Sequence, residues 1–180
     1  MKGVVFNILE DMVTEKGGLQ MWQKVLDKAG VDGGYTAVST YSDDELFSIV
    51  GAVVEELGIP AEEVIGAFGV YMFGQLASRY PVFTDSASDL FTFLESIDSV
   101  IHLEVKKLMT ETNLPSISCT REGEKLLVMD YRSPRKLCLL AEGLIYGAAE
   151  HYGCGIKIDH PICMHKGADH CDLQVSLTDE

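Results

Sequence analysis

The chain of 180 residues carries 28 acidic and only 14 basic side chains, for a net charge of −14. Because nucleic acids and anionic lipid headgroups select basic surfaces, this balance argues against both as partners. Hydrophobic residues make up 47% of the chain, enough for a folded domain, but the apolar runs are too short to span a bilayer. The N-terminal residues do not fit an export signal, so we expect a cytoplasmic protein whose five cysteines are thiols or metal ligands.

Five stretches in the first half have the spacing of apolar residues that is typical of helices. The glycine pair Gly17-Gly18 is a stop signal between the first two stretches, and Ser42 with Glu45 fits a capping box at the start of the third. Helices are therefore predicted over 9–17, 22–29, 42–57, 60–80 and 88–109.

The second half changes to the shorter period of strands, which are predicted over 116–119, 125–131, 155–159 and 173–177, with a helix over 136–151. A loop rich in cysteine and histidine separates the last two strands. The pattern predicts an α+β fold in a single domain over 1–180, with a helical N-terminal lobe followed by a small antiparallel sheet packed with helices.

Three polar residues in alternate positions, Tyr131, Ser133 and Arg135, form the most informative pattern. In an extended strand they point to one face, where two hydroxyls and a guanidinium can hold a carboxylate or phosphate. Upstream, His102 stands in an otherwise apolar helical stretch and can ligate a metal. A metal ligand and a carboxylate clamp together indicate a haem pocket. Taken singly, His102 fits a core histidine and the three polar residues fit an edge strand.

A second constellation holds Cys138, His160, Cys163 and Cys171. Three thiolates and one imidazole make a closed, tetrahedral, structural zinc site. The nitrogen ligand stays open at this point, since the candidates are His160, His165, His170 and His151. The alternative interpretation is a set of scattered cytosolic thiols, but the clustering of cysteines and histidines favours a metal.

With His102 about thirty residues ahead of Tyr131-x-Ser133-x-Arg135, the whole chain resembles a heme-nitric oxide/oxygen-binding (H-NOX) domain, related to the haem domain of soluble guanylate cyclase. The resemblance implies haem b between helices and sheet, His102 as the proximal iron ligand, and Tyr131, Ser133 and Arg135 as the propionate clamp. It implies two lobes, over about 1–62 and 63–180. Pro115 matches a proline that distorts the porphyrin, and Gly143 matches a hinge glycine. The cysteine cluster resembles the zinc site of a bacterial subset of the family.

The choice of gaseous ligand depends on Leu140, because oxygen-binding relatives place a tyrosine at this position. Leu140 and Leu144 lie one helical turn apart and offer no hydrogen-bond donor to a polar dioxygen. The resemblance therefore predicts a sensor that binds nitric oxide, and also carbon monoxide, while excluding oxygen. Tyr71, Gln75 and Tyr146 are the other side chains that could reach the pocket.

No catalytic set or phosphate-binding glycine motif is visible, so we expect no enzymatic activity. In the predicted mechanism, nitric oxide binds ferrous haem, the iron–His102 bond weakens, and a conformational change reaches a separate protein. The resemblance implies that this partner is a sensor histidine kinase or a cyclic-di-nucleotide enzyme acting in trans. The alternatives are a zinc-thiolate redox sensor and a haem-free domain that binds small molecules.

Overall fold

The computed structural model describes residues 1–109 and 112–178. Within these residues the helices are α1 (Gly3–Ala29), α2 (Asp43–Leu57), α3 (Ala61–Arg79), α4 (Pro81–Asp85), α5 (Leu90–Ser96), α6 (Leu103–Leu108) and α7 (Cys138–His151). The strands are β1 (Ser116–Arg121), β2 (Leu126–Arg132), β3 (Ile156–Ile162) and β4 (Cys171–Leu177). A π-helical segment, Ile97–His102, joins α5 to α6, and a short 3₁₀ helix, Met164–Lys166, lies between β3 and β4. No described helix combines the length and apolar character needed to cross a membrane.

The four strands form one sheet in the order β1-β2-β4-β3, and every neighbouring pair is antiparallel. This confirms the predicted α+β fold with a small antiparallel sheet. The register places Tyr131 of β2 opposite Cys171 of β4. The β3–β4 register shifts between Asp159 and Ile162. Pro161 lies inside this shift and has no N–H to give to a ladder, which accounts for the irregularity at that point.

Three sequence expectations for the helices need correction. The first two predicted helices are joined into α1, in which only Gly18 leaves helical geometry, at φ 76° and ψ 171°. The capping box is incomplete, since Ser42 accepts a hydrogen bond from the Asp44 amide but the Glu45 carboxylate accepts one from the Tyr35 hydroxyl instead, at 2.6 Å. The helix predicted from residue 136 begins at Cys138.

The single helix predicted over 88–109 is in fact two α-helices, α5 and α6, joined by the π-helical segment. It begins at Leu90, where Asp89 accepts a hydrogen bond from the Thr92 amide at 2.8 Å and so caps α5. It then passes through the π-helical segment that ends at His102. A π-helical segment adds a residue to the turn and is often found at functional sites. Sequence periodicity does not detect such an insertion, because the apolar stripe continues on both sides of it.

Two hydrophobic clusters make up the core. The first packs α1, α2 and α3 together, and the second packs α5 and the sheet against α7. Helix α7 contributes to both, with Leu140 in the first cluster and Ile145 and Ala148 in the second.

Helices α3 and α7 meet through their glycines. A Cβ atom added at Gly69 would lie 2.7 Å from the Cα of Gly143, closer than real Cβ contacts. Only residues without a side chain allow the two backbones to approach this far. The role of Gly143 in this structure is therefore close helix packing, and α7 is regular at that position.

Candidate functional site

A cavity of about 610 Å³ lies between the two clusters, within the range of about 300–1,000 Å³ typical of ligand pockets. Its wall is mainly apolar and includes Val5 and Ile8 of α1, Met72 of α3 and Phe93 of α5. The cavity brings together all seven residues predicted to surround a cofactor, namely His102, Pro115, Tyr131, Ser133, Arg135, Leu140 and Leu144. These residues come from four separate parts of the chain, so only the fold makes them neighbours.

His102 lies at the end of the π-helical segment and lines the cavity. Its Nδ1 is 3.0 Å from Oδ1 of Asp98, and the His102 side chain is 12% exposed. Because a carboxylate only accepts hydrogen bonds, this contact places the proton on Nδ1 and leaves the Nε2 lone pair for a metal. The sequence analysis did not assign a role to Asp98, although its spacing of four residues before His102 was a usable signal.

Tyr131 and Ser133 are both buried at the cavity, while Arg132 between them is exposed and pairs with Asp130 and Asp169. The predicted alternation of faces is thus present around Arg132. The extended strand predicted through Arg135 is wrong, however, because β2 ends at Arg132 and a turn follows. Pro134 cannot donate to a strand ladder, which explains why pairing stops before it.

The polar groups of this turn are already organised. Burial raises the pKa of Tyr131, so its phenol stays protonated and can donate a hydrogen bond. The Ser133 hydroxyl accepts a hydrogen bond from the Arg135 amide at 3.3 Å.

The Arg135 guanidinium is 12% exposed and lies at the edge of the cavity. Its Nε forms an ion pair with Oδ2 of Asp43 at 2.9 Å that lacks the geometry of a hydrogen bond, and its Nη2 donates to the carbonyl of Asn113. These contacts fix the guanidinium in one orientation. The hydrogen bond to Asn113 also uses one of the N–H groups that the guanidinium could otherwise donate to a ligand. Sequence reasoning missed both partners, since nothing in the sequence brings Asp43 of α2 near a turn ninety residues later.

Leu140 and Leu144 form an apolar patch of α7 at the cavity. The side chains named as alternative donors lie elsewhere, because the described cavity wall contains none of Tyr71, Gln75 and Tyr146. Tyr146 is 38% exposed, and Gln75 accepts a hydrogen bond from Arg79. Burial and the nearby Glu15 raise the pKa of Tyr71 to about 12.

The second site is the cluster of Cys138, His160, Cys163 and Cys171, whose candidate ligand atoms all lie within 4.8 Å of one another. Four ligands around tetrahedral zinc, with Zn–S of about 2.3 Å, are separated by about 3.8 Å, so a small adjustment suffices. The fold, rather than the spacing, selects His160 among the histidines. It also corrects the predicted loop, because His160 lies in β3 and Cys171 in β4.

The remaining histidines have other partners. His165 Nε2 lies 2.7 Å from the carbonyl of Lys136, and His170 Nδ1 lies 2.7 Å from Asp169. The His151 ring packs edge-on against Phe73. By contrast, Nε2 of His160 is buried and has no partner among the described residues.

The thiols of this cluster are buried, and burial together with Cys171 raises the pKa of Cys138 to about 12. Without a cation the cluster therefore disfavours thiolates. A bound divalent cation reverses that preference and deprotonates its thiol ligands.

The family model for Haem-NO-binding domains matches residues 2–160. The chain belongs to the H-NOX family. H-NOX domains are haem-binding gas-sensor domains, and the chain is homologous to the haem domain of soluble guanylate cyclase. It is similar to an H-NOX protein from Shewanella oneidensis whose crystal structure is in the Fe(II)NO ligation state. The two are 42% identical with a TM-score of 0.94, covering 99% of this chain and 100% of that one.

An NMR structure of an H-NOX domain from Shewanella oneidensis in the Fe(II)CO ligation state is also similar, with 42% identity, a TM-score of 0.92 and full coverage of both chains. Soluble guanylate cyclase gcy-35 of Caenorhabditis elegans is 28% identical over 141 residues, which cover 75% of this chain and 20% of the relative. The chain thus spans about a fifth of the length of the curated relatives that it matches.

Proposed function

We propose that this H-NOX domain is a nitric oxide sensor that holds ferrous haem b in the cavity and signals to a separate protein. The observation that carries the proposal is the composition of the cavity wall. An imidazole oriented by a carboxylate, a turn with two hydroxyls and a guanidinium, and an apolar helix face surround one space. These are the three groups through which a protein binds haem and selects its ligand.

Haem bound in this cavity would be held by His102 and would supply an iron that can bind nitric oxide. Asp98 holds the His102 ring with Nε2 free to act as the iron ligand. Tyr131, Ser133 and Arg135 would hold the haem propionates, and Pro115 would contact the porphyrin from the cavity wall.

Leu140 and Leu144 decide between gases. A polar dioxygen is retained better when a side chain donates a hydrogen bond to it, whereas nitric oxide and carbon monoxide depend less on such a donor. The apolar face of α7 and the absence of Tyr71, Gln75 and Tyr146 from the described cavity wall support a site that excludes oxygen.

His102 is the residue that would connect a haem in the cavity to the outer surface. The segment Ile97–Leu108 carries His102 and exposes Val100 and Leu103 to solvent. A movement of this segment changes the outer surface and the angle between a helical lobe over about 1–62 and a second lobe over 63–180. We propose that a cytoplasmic sensor histidine kinase or cyclic-di-nucleotide enzyme binds the two states with different affinity, as any ligand-driven signal requires.

We also propose that the domain binds zinc, with the ligands Cys138, His160, Cys163 and Cys171. Its role is structural, since it joins the start of α7 to β3 and β4 and leaves no open coordination position. The redox-sensor alternative is weaker, because all three thiols are at most 9% exposed.

The test is the optical spectrum of the reduced protein alone and with nitric oxide, carbon monoxide or air. We expect a Soret band that shifts with nitric oxide and with carbon monoxide and stays unchanged in air. A protein that shows no Soret band after reconstitution with haem would support the haem-free alternative instead.

The clamp is tested separately by a matched pair of variants. Arg135→Ala removes a side chain at the cavity, and Arg132→Ala removes an exposed one from the opposite face. Loss of a charge-assisted hydrogen bond of about 1.5–3 kcal/mol corresponds to about ten- to a hundredfold faster loss of haem in Arg135→Ala. Transfer of haem to an apo-globin acceptor measures the rate, and equal rates in both variants would remove Arg135 from the clamp.

A further inference from the structure

His160 makes one polar contact that the four-ligand description of the zinc site leaves out. Its Nδ1 lies 2.6 Å from Oε1 of Glu142 on α7. The two side chains are 17% and 22% exposed, so the contact is mostly shielded from solvent. One ring nitrogen of His160 lies within 4.8 Å of the three thiol sulfurs. Since Nδ1 contacts Glu142 and Nε2 is buried without a partner among the described residues, Nε2 is the nitrogen that is free to bind a metal.

This arrangement determines the tautomer of the ring. A carboxylate accepts hydrogen bonds only, so the Nδ1 proton points at Glu142 and the Nε2 lone pair points at the cluster. Without Glu142, the neutral imidazole can place its proton on either nitrogen and can rotate about its side-chain bonds. A metal would then bind only after the ring had been reordered.

Glu142 is also well placed along the chain. It lies four residues after Cys138 on α7, so one face of the helix presents both a thiol ligand and the carboxylate. His160 reaches them from β3, close to the register shift at Pro161, where a bulged strand re-aims its side chains. The contact therefore joins α7 to β3 independently of Cys138.

We infer that Glu142 is a positioning residue of the zinc site, which orients His160 for coordination and tightens metal binding. This inference rests on the proposed zinc site. Carboxylates that orient a ligating histidine typically contribute about 10- to 100-fold to metal affinity. The sequence alone does not identify Glu142. Its spacing of four residues from Cys138 becomes informative only when the structure shows that His160 faces α7.

The experiment measures zinc affinity of the whole chain after metal removal, by titration with zinc against a chromophoric chelator. Glu142→Ala should bind zinc about 100-fold more weakly than the native chain, and Glu142→Gln, which keeps an oxygen acceptor, about 10-fold. Glu150→Ala is the matched control, since Glu150 lies two turns later on α7, is exposed and carries the same charge. It should bind zinc as the native chain does.

Cobalt provides a second readout. Co²⁺ reports its own ligands, and Glu142→Ala should keep the sulfur charge-transfer bands while its ligand-field bands change as the imidazole loses its fixed orientation. A general loss of structure is detected by thermal unfolding of the zinc-free proteins. Equal melting temperatures without zinc and a smaller stabilisation by zinc in Glu142→Ala support positioning.

The outcomes distinguish failure of the role of Glu142 from failure of the zinc site itself. Equal zinc affinity in Glu142→Ala and in the native chain would overturn the role of Glu142 and leave the zinc site intact. An equal loss in Glu150→Ala would show a general charge effect and overturn it too. Failure of the native chain to bind zinc or cobalt would overturn the zinc site itself.

Discussion

Two walls of the same cavity are held in very different ways. Helix α7 is half buried along its length and touches the backbone of α3 through Gly143 and Gly69. In the opposite segment, Ile97–Leu108, the residues Val100 and Leu103 do not line the cavity and are nevertheless 46% and 47% exposed. Since local stability follows the density of buried contacts, α7 is the fixed wall and Ile97–Leu108 is the wall that can move. A ligand that acts on His102 therefore acts on the less constrained part of the structure.

The largest effect should come from the movable wall. His102→Gly removes the predicted iron ligand, and we expect haem affinity to fall at least about a thousandfold, or about 4.1 kcal/mol. Added imidazole should restore haem binding by filling the space. The measurement is Soret absorbance per protein, and His170→Gly, which removes a histidine paired with Asp169, is the control. An unchanged ferrous spectrum in His102→Gly would mean that this wall does not hold the iron.

The next largest effect is expected at the proposed zinc site, which attaches the fixed wall, α7, to the sheet. The native chain should contain about one zinc, and Cys163→Ser should contain none. A destabilisation of about 3 kcal/mol lowers the melting temperature by about 6–12 °C in a chain of this size. Cys154→Ser is the control, because the Cys154 thiol donates to the carbonyl of Ala149 outside the cluster. Metal analysis under reducing conditions that finds no zinc in the native protein would leave α7 without this attachment.

A smaller change on the fixed wall concerns gas selection. Leu140→Tyr places a hydroxyl on the cavity face of α7, and a hydrogen bond to bound dioxygen is worth about 1.5–3 kcal/mol, or about ten- to a hundredfold in retention. We expect measurable oxygen binding in this variant and none in the native protein. Spectra in air report both. A stable oxygen complex in the native protein would show that the cavity has a donor elsewhere.

The smallest effect is expected at α5, the helix that precedes the movable wall. Asp89 caps α5, and hydrogen bonds from Thr92 lower the pKa of its carboxyl. Since the pKa is lower in the folded chain, the stabilisation exists above the ordinary pKa of about 3.9 and disappears as the pH falls through the folded value. Asp89→Ala should cost about 1 kcal/mol at neutral pH and nothing in strong acid. Unfolding curves measure the difference, and Glu124→Ala, exposed in the β1–β2 turn, should behave as the native chain does.

The sequence was most informative where chemistry and spacing agreed. Alternation placed Tyr131 and Arg132 on opposite faces, and the clustering of cysteines indicated which thiols would meet. The sequence was least informative about contacts between distant segments. The pairing of Arg135 with Asp43 and of His160 with Glu142 depends on tertiary packing that no local pattern encodes. The π-helical turn before His102 was missed because one inserted residue does not interrupt an apolar stripe.

The register shift at Pro161 has a further consequence for association between molecules. Strand β3 is at the edge of the sheet, where exposed backbone groups invite a strand from another chain. A proline and a bulge both interrupt the regular spacing of those groups, and the exposed Lys157 adds a charge beside them. The same irregularity that directs His160 inward thus protects this edge against strand addition and the aggregation that can follow from it.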